Sequence, residues 1–477
     1  MRNVSCFVIF FTVFKLLERC VQMTNGPSRV IVEMKYTNNL HEASEAAGLS
    51  GESLFPSNLT PNFNWIEWDD AFAPVSIPGD DVTEQSTFAP DPTNATYLLR
   101  GTVADNSQSA LEAAMKNNQS IVGVYADCEI QSCPICPGDP PSGNDGDIEN
   151  LLCVPDLQNQ GMDGNGVLVA IVDTGVNITY LNSVGKYPAF NLGLSWKPST
   201  TPPGHMLGSM PVDHGTMVAF DACIAAPNCT ILDIALLQTR LSGSSPMSGT
   251  LSDAVLAYSH LLNTMQARIE SGKDCSLVVN NSWGMYHPSW DFPAGHPGNY
   301  SDNPSHPFNR IVGVLEGAGA DILFAAGNCG ADCPASGCGG VTTKAIYGAN
   351  SHPQVTCVAG VDVNKDRVGY SSIGPGRLAS DKPDISGYTH FKGSKVYPAD
   401  SGTSAAAPVV AGVVAALRSQ MPQDPTDPNT SPAAVRKILR DTAEASHSHS
   451  GHSAKYGWGI VNGCNIAAKF PFTETPA

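Results

Sequence analysis

Basic residues are scarce in this chain. The 477 residues include 26 Lys and Arg against 44 Asp and Glu, which gives a formal net charge of −18 and a sequence pI of about 4.9. A surface that binds nucleic acid needs clustered Lys and Arg. The charge balance therefore predicts no nucleic-acid partner, and it fits a soluble protein without selecting a substrate.

Long uncharged apolar runs are missing after residue 23, so we expect no membrane-spanning helix there. Residues 1–23 place Arg2 before the apolar stretch from Val4 to Phe14. This order is typical of a secretory signal peptide, although no clean small-residue cleavage site follows. We predict secretion to the extracellular space, with a buried N-terminal segment as the alternative.

Fourteen cysteines are present, and their number stays even when Cys6 and Cys20 leave with the signal peptide. Together with several N-glycosylation sequons, this predicts an oxidising environment with disulfides and glycans. The sequons lie at Asn58, Asn94, Asn118, Asn177, Asn228, Asn299 and Asn429. Connectivity does not follow from the sequence.

Three groups of cysteines were candidates for metal sites or disulfides. Cys133 and Cys136 form a C-x-x-C without a second pair to complete a zinc site, so we predict disulfides, with Cys128 or Cys153 as candidate partners. The other two groups are Cys329 with Cys333 and Cys338, and Cys223 with Cys229. We predict disulfides in both groups. For Cys329, Cys333 and Cys338 a zinc site is the alternative. We assign no metal-binding residue.

The chain divides into two units by pattern. Residues 28–130 contain strand patterns at 28–36, 96–104 and 120–130 and a helical pattern at 107–117, which predicts a small α+β unit with a loop over 49–93. Residues 131–150 are rich in Pro, Gly and Asp, and they predict a linker without a regular element.

From residue 151 to residue 477, buried strand patterns alternate with helical ones. This alternation predicts an α/β fold in three layers with a mainly parallel sheet. Ligands of such folds bind at the carboxyl ends of the strands. Asp173, Asn281 and Asn328 follow or end predicted strands, whereas His214 and Ser404 begin predicted helices.

A serine hydroxyl becomes a nucleophile when a base accepts its proton and a third group orients that base. Ser404, His214 and Asp173 supply these three residue types. Singly, Asp173 is an ordinary turn residue and Ser404 an ordinary helix cap. The combination predicts catalysis.

Four segments carry a resemblance to a known family. VAIVDTGV at 169–176, DHGTMVA at 213–219, AAGN at 325–328 and SGTSAAAP at 401–408 resemble, in this order, the signature segments of subtilisin-like serine proteases, the subtilases. The resemblance extends from about Leu157 to Ala468. It implies a serine endopeptidase that acts on proteins or peptides through an acyl-enzyme.

The resemblance also implies individual roles. Ser404 would be the nucleophile, His214 the general base and acid, and Asp173 the residue that orients His214. Asn328 would complete the oxyanion hole. The substrate strand and pocket walls would include Asn281, Ser282, Trp283, Gly284, Ala325, Ala326 and Gly327.

The N-terminal unit resembles the inhibitory pro-domain of secreted subtilases, which implies a zymogen processed within 131–150. The chemistry implies no cofactor, and we expect a monomer. The short segment from Ala219 to Leu232 lacks the calcium loop of many relatives, which leaves structural calcium undetermined. The insert at 286–307 has two open interpretations, a wall of the cleft or a surface loop.

Two other functions remain as alternatives. Asp173-Thr174-Gly175 and Asp400-Ser401-Gly402 resemble the paired motifs of aspartic proteases. Those enzymes are mostly β, and this interpretation leaves the HGT and AAGN segments unexplained. A catalytically silent binding protein on the subtilase fold is the other alternative.

Overall fold

The computed structural model describes residues 29–50, 66–79, 92–103, 117–132, 140–238, 248–273, 276–446 and 451–470, and residue 113. The predicted signal peptide, Cys133 and Cys136 lie outside these ranges, as does most of the predicted helix at 107–117. None of the helices within these ranges is both long and apolar enough to cross a membrane.

The N-terminal unit is built on a five-stranded antiparallel sheet. Its strands are β1 (Arg29–Lys35), β2 (Ile66–Trp68), β3 (Val75–Ile77), β4 (Thr96–Val103) and β5 (Ile121–Ala126), with helix α1 (Asn38–Ser50) after β1. The order is β2-β4-β1-β5, and β3 also pairs with β4. The predicted loop over 49–93 was wrong at β2 and β3, because Ile66, Val75 and Ile77 are buried in the core that this unit contributes to.

The single strand predicted over 120–130 is two strands. β5 ends at Ala126, and β6 (Glu129–Ser132) leaves the sheet to pair with two strands of the C-terminal unit. Asp127 causes the break. Its carboxylate accepts two hydrogen bonds from Ser252, one from the backbone N–H at 2.9 Å and one from the side-chain hydroxyl at 3.0 Å. Arg29 also donates to Asp127, at 2.7 Å.

The linker prediction was wrong at both ends. β6 includes Gln131 and Ser132, and helix α2 (Asp145–Leu151) begins within the segment predicted to be irregular. Asn144 caps α2 and its side chain accepts from the N–H groups of Gly146 and Asp147, while Asp147 accepts from the N–H of Asn144. This reciprocal capping box starts a helix despite the surrounding Pro and Gly.

The C-terminal unit has a seven-stranded, entirely parallel sheet in the order β15-β14-β13-β11-β7-β9-β8. Its strands are β7 (Leu168–Val172), β8 (Ala189–Phe190), β9 (Thr230–Ile234), β11 (Leu277–Asn281), β13 (Asp321–Ala325), β14 (Thr356–Val361) and β15 (Ile385–Tyr388). A three-stranded antiparallel sheet, in the order β10-β6-β12, contains β10 (Ser248–Thr250) and β12 (Trp283–Gly284).

Helices cover both faces of the parallel sheet. They are α3 (Val154–Asn159), α4 (Ile178–Ser183), α5 (His214–Ala225), α6 (Leu251–Glu270), α7 (Pro307–Gly317), α8 (Thr403–Gln420), α9 (Pro432–Thr442) and α10 (Gly463–Lys469). Alternate residues of β7 face opposite layers: Leu168, Ala170 and Val172 join the core with α6 and α7, and Val169 and Ile171 join the core with α5 and α8. The predicted three-layer α/β fold is confirmed.

The two units share one core and several polar contacts. The buried strands of the N-terminal sheet pack in the same cluster as α6 and α7. Arg310 of α7 forms an ion pair with the buried Glu33 of β1 at 2.5 Å. Arg100 of β4 forms another with Asp253 of α6 at 2.9 Å.

Disulfides join Cys153 to Cys464 and Cys329 to Cys338, and Cys333 is also disulfide-bonded. Disulfides are therefore confirmed at the cluster after Asn328. Cys128, Cys223 and Cys229 are buried free thiols. The predicted Cys223–Cys229 bridge was therefore wrong, as were both candidate partners for the C-x-x-C.

Candidate active site

His214 and Asp173 meet at the carboxyl edge of the parallel sheet. Asp173 directly follows β7, and His214 is the first residue of α5. The Nδ1 of His214 lies 2.8 Å from Oδ1 of Asp173. Both residues are buried, and Oδ1 also accepts the N–H of Thr174 at 2.7 Å. Asp173 therefore fixes the imidazole tautomer with its proton on Nδ1.

The start of α5 is fitted to the end of β7 by the residues around His214. Gly215 donates its N–H to the hydroxyl of Thr174 at 2.8 Å. A Cβ at Gly215 would lie 2.5 Å from the carbonyl oxygen of Gly175, so glycine is required for this close approach. Asp213 caps the helix through the N–H of His214 at 2.9 Å. These contacts leave the imidazole little freedom to shift.

Ser404 is the second residue of α8, after an N-cap glycine. Gly402 has φ of 80°, which is in the left-handed region, and turns the chain into the helix. Pro408 lacks the N–H that would bond to the carbonyl of Ser404 four residues earlier. The hydroxyl of Ser282 donates to that carbonyl at 2.8 Å instead. Ser404 therefore lies in the first turn of α8, where backbone N–H groups lack intrahelical partners and the helix dipole has its positive end.

The side-chain amide of Asn328 is oriented by Thr403. Its Oδ1 accepts the backbone N–H of Thr403 at 2.9 Å and the hydroxyl at 3.0 Å. Its Nδ2 must then face away from Thr403, and a Cβ at Gly402 would lie 2.8 Å from Nδ2 and 3.4 Å from the backbone N of Ser404. The amide donor and the N–H of Ser404 therefore lie on the same side of the Gly402 turn.

The hydroxyl of Ser404 and the imidazole of His214 are not yet bonded to each other. The hydroxyl donates to the carbonyl of Ser282 at 3.2 Å. The Nε2 of His214 has no hydrogen-bond partner within the described ranges. Burial lowers the pKa of His214, but the charge and hydrogen bond of Asp173 outweigh burial and raise it overall. A base that is free at Nε2 and stabilised as imidazolium is suited to accepting a proton.

A segment of the N-terminal unit occupies the groove beside these residues. β6 pairs antiparallel with β12 on one side, Ser132 opposite Trp283 and Gln131 opposite Gly284. On the other side it pairs with β10, from Gln131 opposite Ser248 to Glu129 opposite Thr250. The groove thus holds an extended peptide by backbone pairing on both edges, which is β-strand addition.

The insert at 286–307 lies against the N-terminal unit. The hydroxyl of Tyr286 donates to the carbonyl of Gln131 at 3.1 Å. The Nε2 of His306 lies 3.1 Å from the carbonyl oxygen of Ala126. The N–H of Ala126 donates to the carbonyl of Gly298 at 2.9 Å. The surface-loop interpretation was therefore wrong. Asn299 is buried and donates its side-chain amide to Phe292, so this sequon is not accessible to a glycan in the folded chain.

The residues predicted for substrate binding divide into two sets. Ser282, Trp283 and Gly284 border the occupied groove, with Gly284 and Trp283 paired to β6 and Ser282 bonded to Ser404. Asn281 and Ala325 instead support the sheet: the amide of Asn281 donates to Leu323 at 3.0 Å. The other two residues, Ala326 and Gly327, precede Asn328, and Ala326 packs with Ile346 and Cys357.

Sequence reasoning missed several residues of this site. Ser248, Gly249 and Thr250 form the second edge of the groove, and their signal was limited to a helix cap at Thr250. The amide of Asn350 bridges the carbonyls of Trp283 at 2.8 Å and Ala325 at 2.9 Å. No local pattern distinguishes Asn350 from any other loop asparagine.

The structure separates the two carboxyls of the aspartic-protease alternative. Asp173 bonds to His214 and Thr174, whereas Asp400 accepts the hydroxyl of Ser394 at 2.5 Å and lies against the carboxyl of Asp221. The fold is α/β rather than mostly β. Neither observation supports an acid pair shared between Asp173 and Asp400.

Comparison with known proteins gives a consistent assignment. A family model described as the subtilase family, peptidase S8, matches residues 164–459, more than half of the chain. Subtilisin NAT from Bacillus subtilis subsp. natto is 28% identical over 316 residues, which cover 65% of this chain and 67% of the relative. Subtilisin DY from Bacillus licheniformis is 28% identical over 315 residues, 65% of this chain and 94% of the relative. A subtilisin from Bacillus pumilus is 29% identical over 316 residues, 65% and 93% respectively.

Proposed function

The chain belongs to the subtilase family, and on this basis we propose that it is a serine endopeptidase with Ser404 as its nucleophile. The observation that carries the proposal is the His214–Asp173 pair with an unpartnered Nε2, in the same site as a serine at a helix N-terminus. The membership of the family supports the reaction class. The contacts of the site support the individual roles.

In the first half of the reaction, the Oγ of Ser404 turns from the Ser282 carbonyl to His214. His214 Nε2 takes the hydroxyl proton as Oγ attacks the substrate carbonyl carbon. The developing oxyanion accepts hydrogen bonds from Nδ2 of Asn328 and from the backbone N–H of Ser404. His214 then protonates the leaving amine, and the C–N bond breaks to give the acyl-enzyme.

In the second half, a water molecule gives a proton to His214 Nε2 and attacks the acyl carbon. His214 returns that proton to the Oγ of Ser404 as the ester bond breaks, and the acid product leaves. Asp173 remains ionised throughout and stabilises the imidazolium. No metal or cofactor takes part in this proposed chemistry.

We further propose that the chain is a zymogen whose N-terminal unit inhibits it. β6 occupies the groove in which a substrate strand would lie, paired on both edges. The shared core with α6 and α7 and the Glu33–Arg310 pair hold the unit in place. Cleavage within 131–150 would free the groove once the β6 segment leaves.

Protein or peptide substrates, a monomeric state and export complete the proposal. The Cys153–Cys464 and Cys329–Cys338 disulfides support an oxidising, extracellular location. Sedimentation of the purified chain tests the monomer. N-terminal sequencing of the mature protein tests the signal peptide and the processing region together.

The matched pair Ser404→Ala and Ser401→Ala tests the nucleophile. Ser401 is a buried serine three residues away, and its hydroxyl donates to the Ala399 carbonyl at 3.2 Å. We expect Ser404→Ala to abolish hydrolysis of a peptide library, self-processing and labelling by a fluorophosphonate, and Ser401→Ala to retain all three. Full hydrolysis by Ser404→Ala would refute the serine mechanism, and pepstatin-sensitive hydrolysis would indicate the aspartic alternative. A correctly folded parent chain without hydrolysis or labelling after removal of the N-terminal unit would indicate a silent binding protein.

A further inference from the structure

Two fully buried carboxyls lie between the segments that carry His214 and Ser404. Asp221 is on α5, two turns after His214, and Asp400 is four residues before Ser404. Both residues are inaccessible to solvent. Burying a charged carboxylate is costly unless donors compensate it. The hydrogen bonds of the two groups therefore decide their ionisation.

Asp400 is well supplied with donors and Asp221 is not. Asp400 accepts the backbone N–H and the hydroxyl of Ser394, each at 2.5 Å. No N–H or O–H donor from another residue reaches either oxygen of Asp221 in the part of the chain that the structure describes. The Asp221 carboxyl instead lies against the carboxyl of Asp400, close enough for a hydrogen bond between them. The two segments approach closely there, since a Cβ at Gly393 would lie 2.3 Å from Oδ2 of Asp400 and 3.1 Å from the ring of Phe220, the residue before Asp221.

A hydrogen bond between two carboxyl groups requires a proton on one of them. The two donors from Ser394 favour the ionised form of Asp400. Asp221 is therefore the group that holds the proton and donates it to Asp400. The pair has a single negative charge as long as that proton stays.

The surrounding charges do not compensate a second negative charge. Lys186 is the cation that faces Asp221, and its ammonium lies 3.2 Å from the carboxylate of Glu149 and over the ring of Phe220. Asp145 adds a further negative charge beside both carboxyls. Loss of the shared proton would thus place two like charges together in a buried site.

The segment 391–400 transmits such a repulsion to the catalytic residues. Phe391 and Asp400 close it by antiparallel backbone pairing. The hydroxyl of Tyr180 donates to the carbonyl of Ser394 at 3.1 Å, and Tyr397 donates to Asp213, the cap of the helix that begins with His214. Asp400 then leads directly into the Gly402 turn.

We propose that the proton shared by Asp221 and Asp400 locks the His214 helix against the segment that leads to Ser404, so that both aspartates are positioning residues. Loss of the proton separates the two segments and lowers activity at alkaline pH. The kinetic part of the proposal rests on the proposed peptidase function, whereas the structural lock does not.

The pH direction follows from the pKa shifts. Burial raises the pKa of Asp221 well above its ordinary value, and the neighbouring Asp400 adds to the rise. Burial also raises the pKa of Asp400, to about 6. A carboxyl whose pKa is higher in the folded state favours folding in its protonated form, and this contribution to the free energy of unfolding is complete below the ordinary carboxyl pKa. It loses that contribution as the pH rises through the folded-state value.

The variant Asp221→Asn tests the lock, since an amide keeps the shape, stays neutral and donates to Asp400 at every pH. Asp145→Asn is the matched control, because it removes a nearby negative charge without touching the shared proton. Thermal unfolding of the full chain is measured against pH in a Ser404→Ala background, which prevents self-digestion. The dependence of kcat/KM on pH is measured in the processed, otherwise unaltered protein.

We expect the parent to lose unfolding temperature above neutral pH and kcat/KM to fall by roughly tenfold per pH unit beyond the midpoint, as for loss of one proton. Asp221→Asn should move both alkaline midpoints upward by at least about one pH unit. Asp145→Asn should move them slightly downward, because the charge of Asp145 raises the pKa of both carboxyls. Equal alkaline limbs for Asp221→Asn and the parent would overturn the proposal.

Asp400→Asn is the second variant, for the case in which Asp221→Asn does not fold. A neutral amide at position 400 prevents two like charges from meeting, so loss of the alkaline limb supports the lock, and an unchanged limb overturns it. A shift of the unfolding midpoint without activity at any pH would support the lock and refute the peptidase function. If kcat/KM depends on pH but Asp221→Asn does not change that dependence, the lock is overturned and the peptidase function is not.

Discussion

Tyr370→Phe is expected to lower kcat without a comparable change in KM, because Tyr370 holds the turn before the nucleophile. Gly402 donates its N–H to the Tyr370 hydroxyl at 3.0 Å. Thr389 donates its hydroxyl to the carbonyl of Gly402 at 2.7 Å, and the two hydroxyls lie 3.3 Å apart. Since the Thr389 proton is used on Gly402, Tyr370 must donate to Thr389. Both polar groups of Gly402 are thus fixed by a closed ring of three bonds.

The magnitude follows from the atom that loses its partner. Phe keeps the ring and its packing, so the main loss is the acceptor of a buried N–H. Leaving such a group unpaired costs about 1–3 kcal/mol. If the turn shifts to relieve this cost, kcat/KM falls by about 5- to 150-fold, at about 1.4 kcal/mol per factor of ten. Burial raises the pKa of Tyr370 to about 12, so the hydroxyl stays protonated in any neutral assay.

The assay is steady-state hydrolysis of a peptide amide together with the rate of fluorophosphonate labelling. Thr389→Val is the companion variant, and it opens the same ring from the other side while keeping nearly the same shape. The double variant should cost less than the sum of the single ones, since they share a network. Thermal unfolding separates loss of folded protein from misplacement of Ser404. If both single variants fold and keep the kcat of the parent, the reasoning is refuted.

Three further outcomes are expected. Asn328→Ala should lower kcat by about 10²–10³ with KM little changed, a magnitude that comes from subtilisin itself; an equal rise in KM with constant kcat would instead indicate substrate binding. kcat/KM should rise with pH through a midpoint above 6.5, the ordinary value for histidine, because the Asp173 carboxylate raises the pKa of His214 and the neutral imidazole is the active base; a midpoint below 6.5 would contradict this. Chelation with EDTA should leave kcat unchanged while the chain stays folded, and immediate loss of kcat with restoration by a metal ion would refute metal-free chemistry.

The parallel sheet followed from local pattern for a physical reason. A strand buried on both faces must be apolar throughout, as Leu168–Val172 is, and helices between such strands force a parallel arrangement. The catalytic candidates could be named because the carboxyl ends of parallel strands converge on one edge. Asp173 and Asn328 were found in this way.

Most of the misses have another cause, which is long-range contact, and one comes from a local cap. The strand predicted over 120–130 is broken by Asp127, whose partner is Ser252, a residue remote in sequence. The helix at Asp145–Leu151 depends on a capping box that Pro- and Gly-rich composition obscured. Cys153 pairs with Cys464, which no spacing indicates.

The sequence alone determined the fold class, the family resemblance and the residue types at His214, Asp173, Asn328 and Ser404, because periodicity and short motifs are local properties. Only the tertiary structure decided what surrounds them. It placed β6 between two strands of the groove, the Tyr370 hydroxyl on Gly402 and Asp221 against Asp400. Each of these contacts joins segments far apart in the chain, and its energy depends on burial and distance, which the order of residues does not contain.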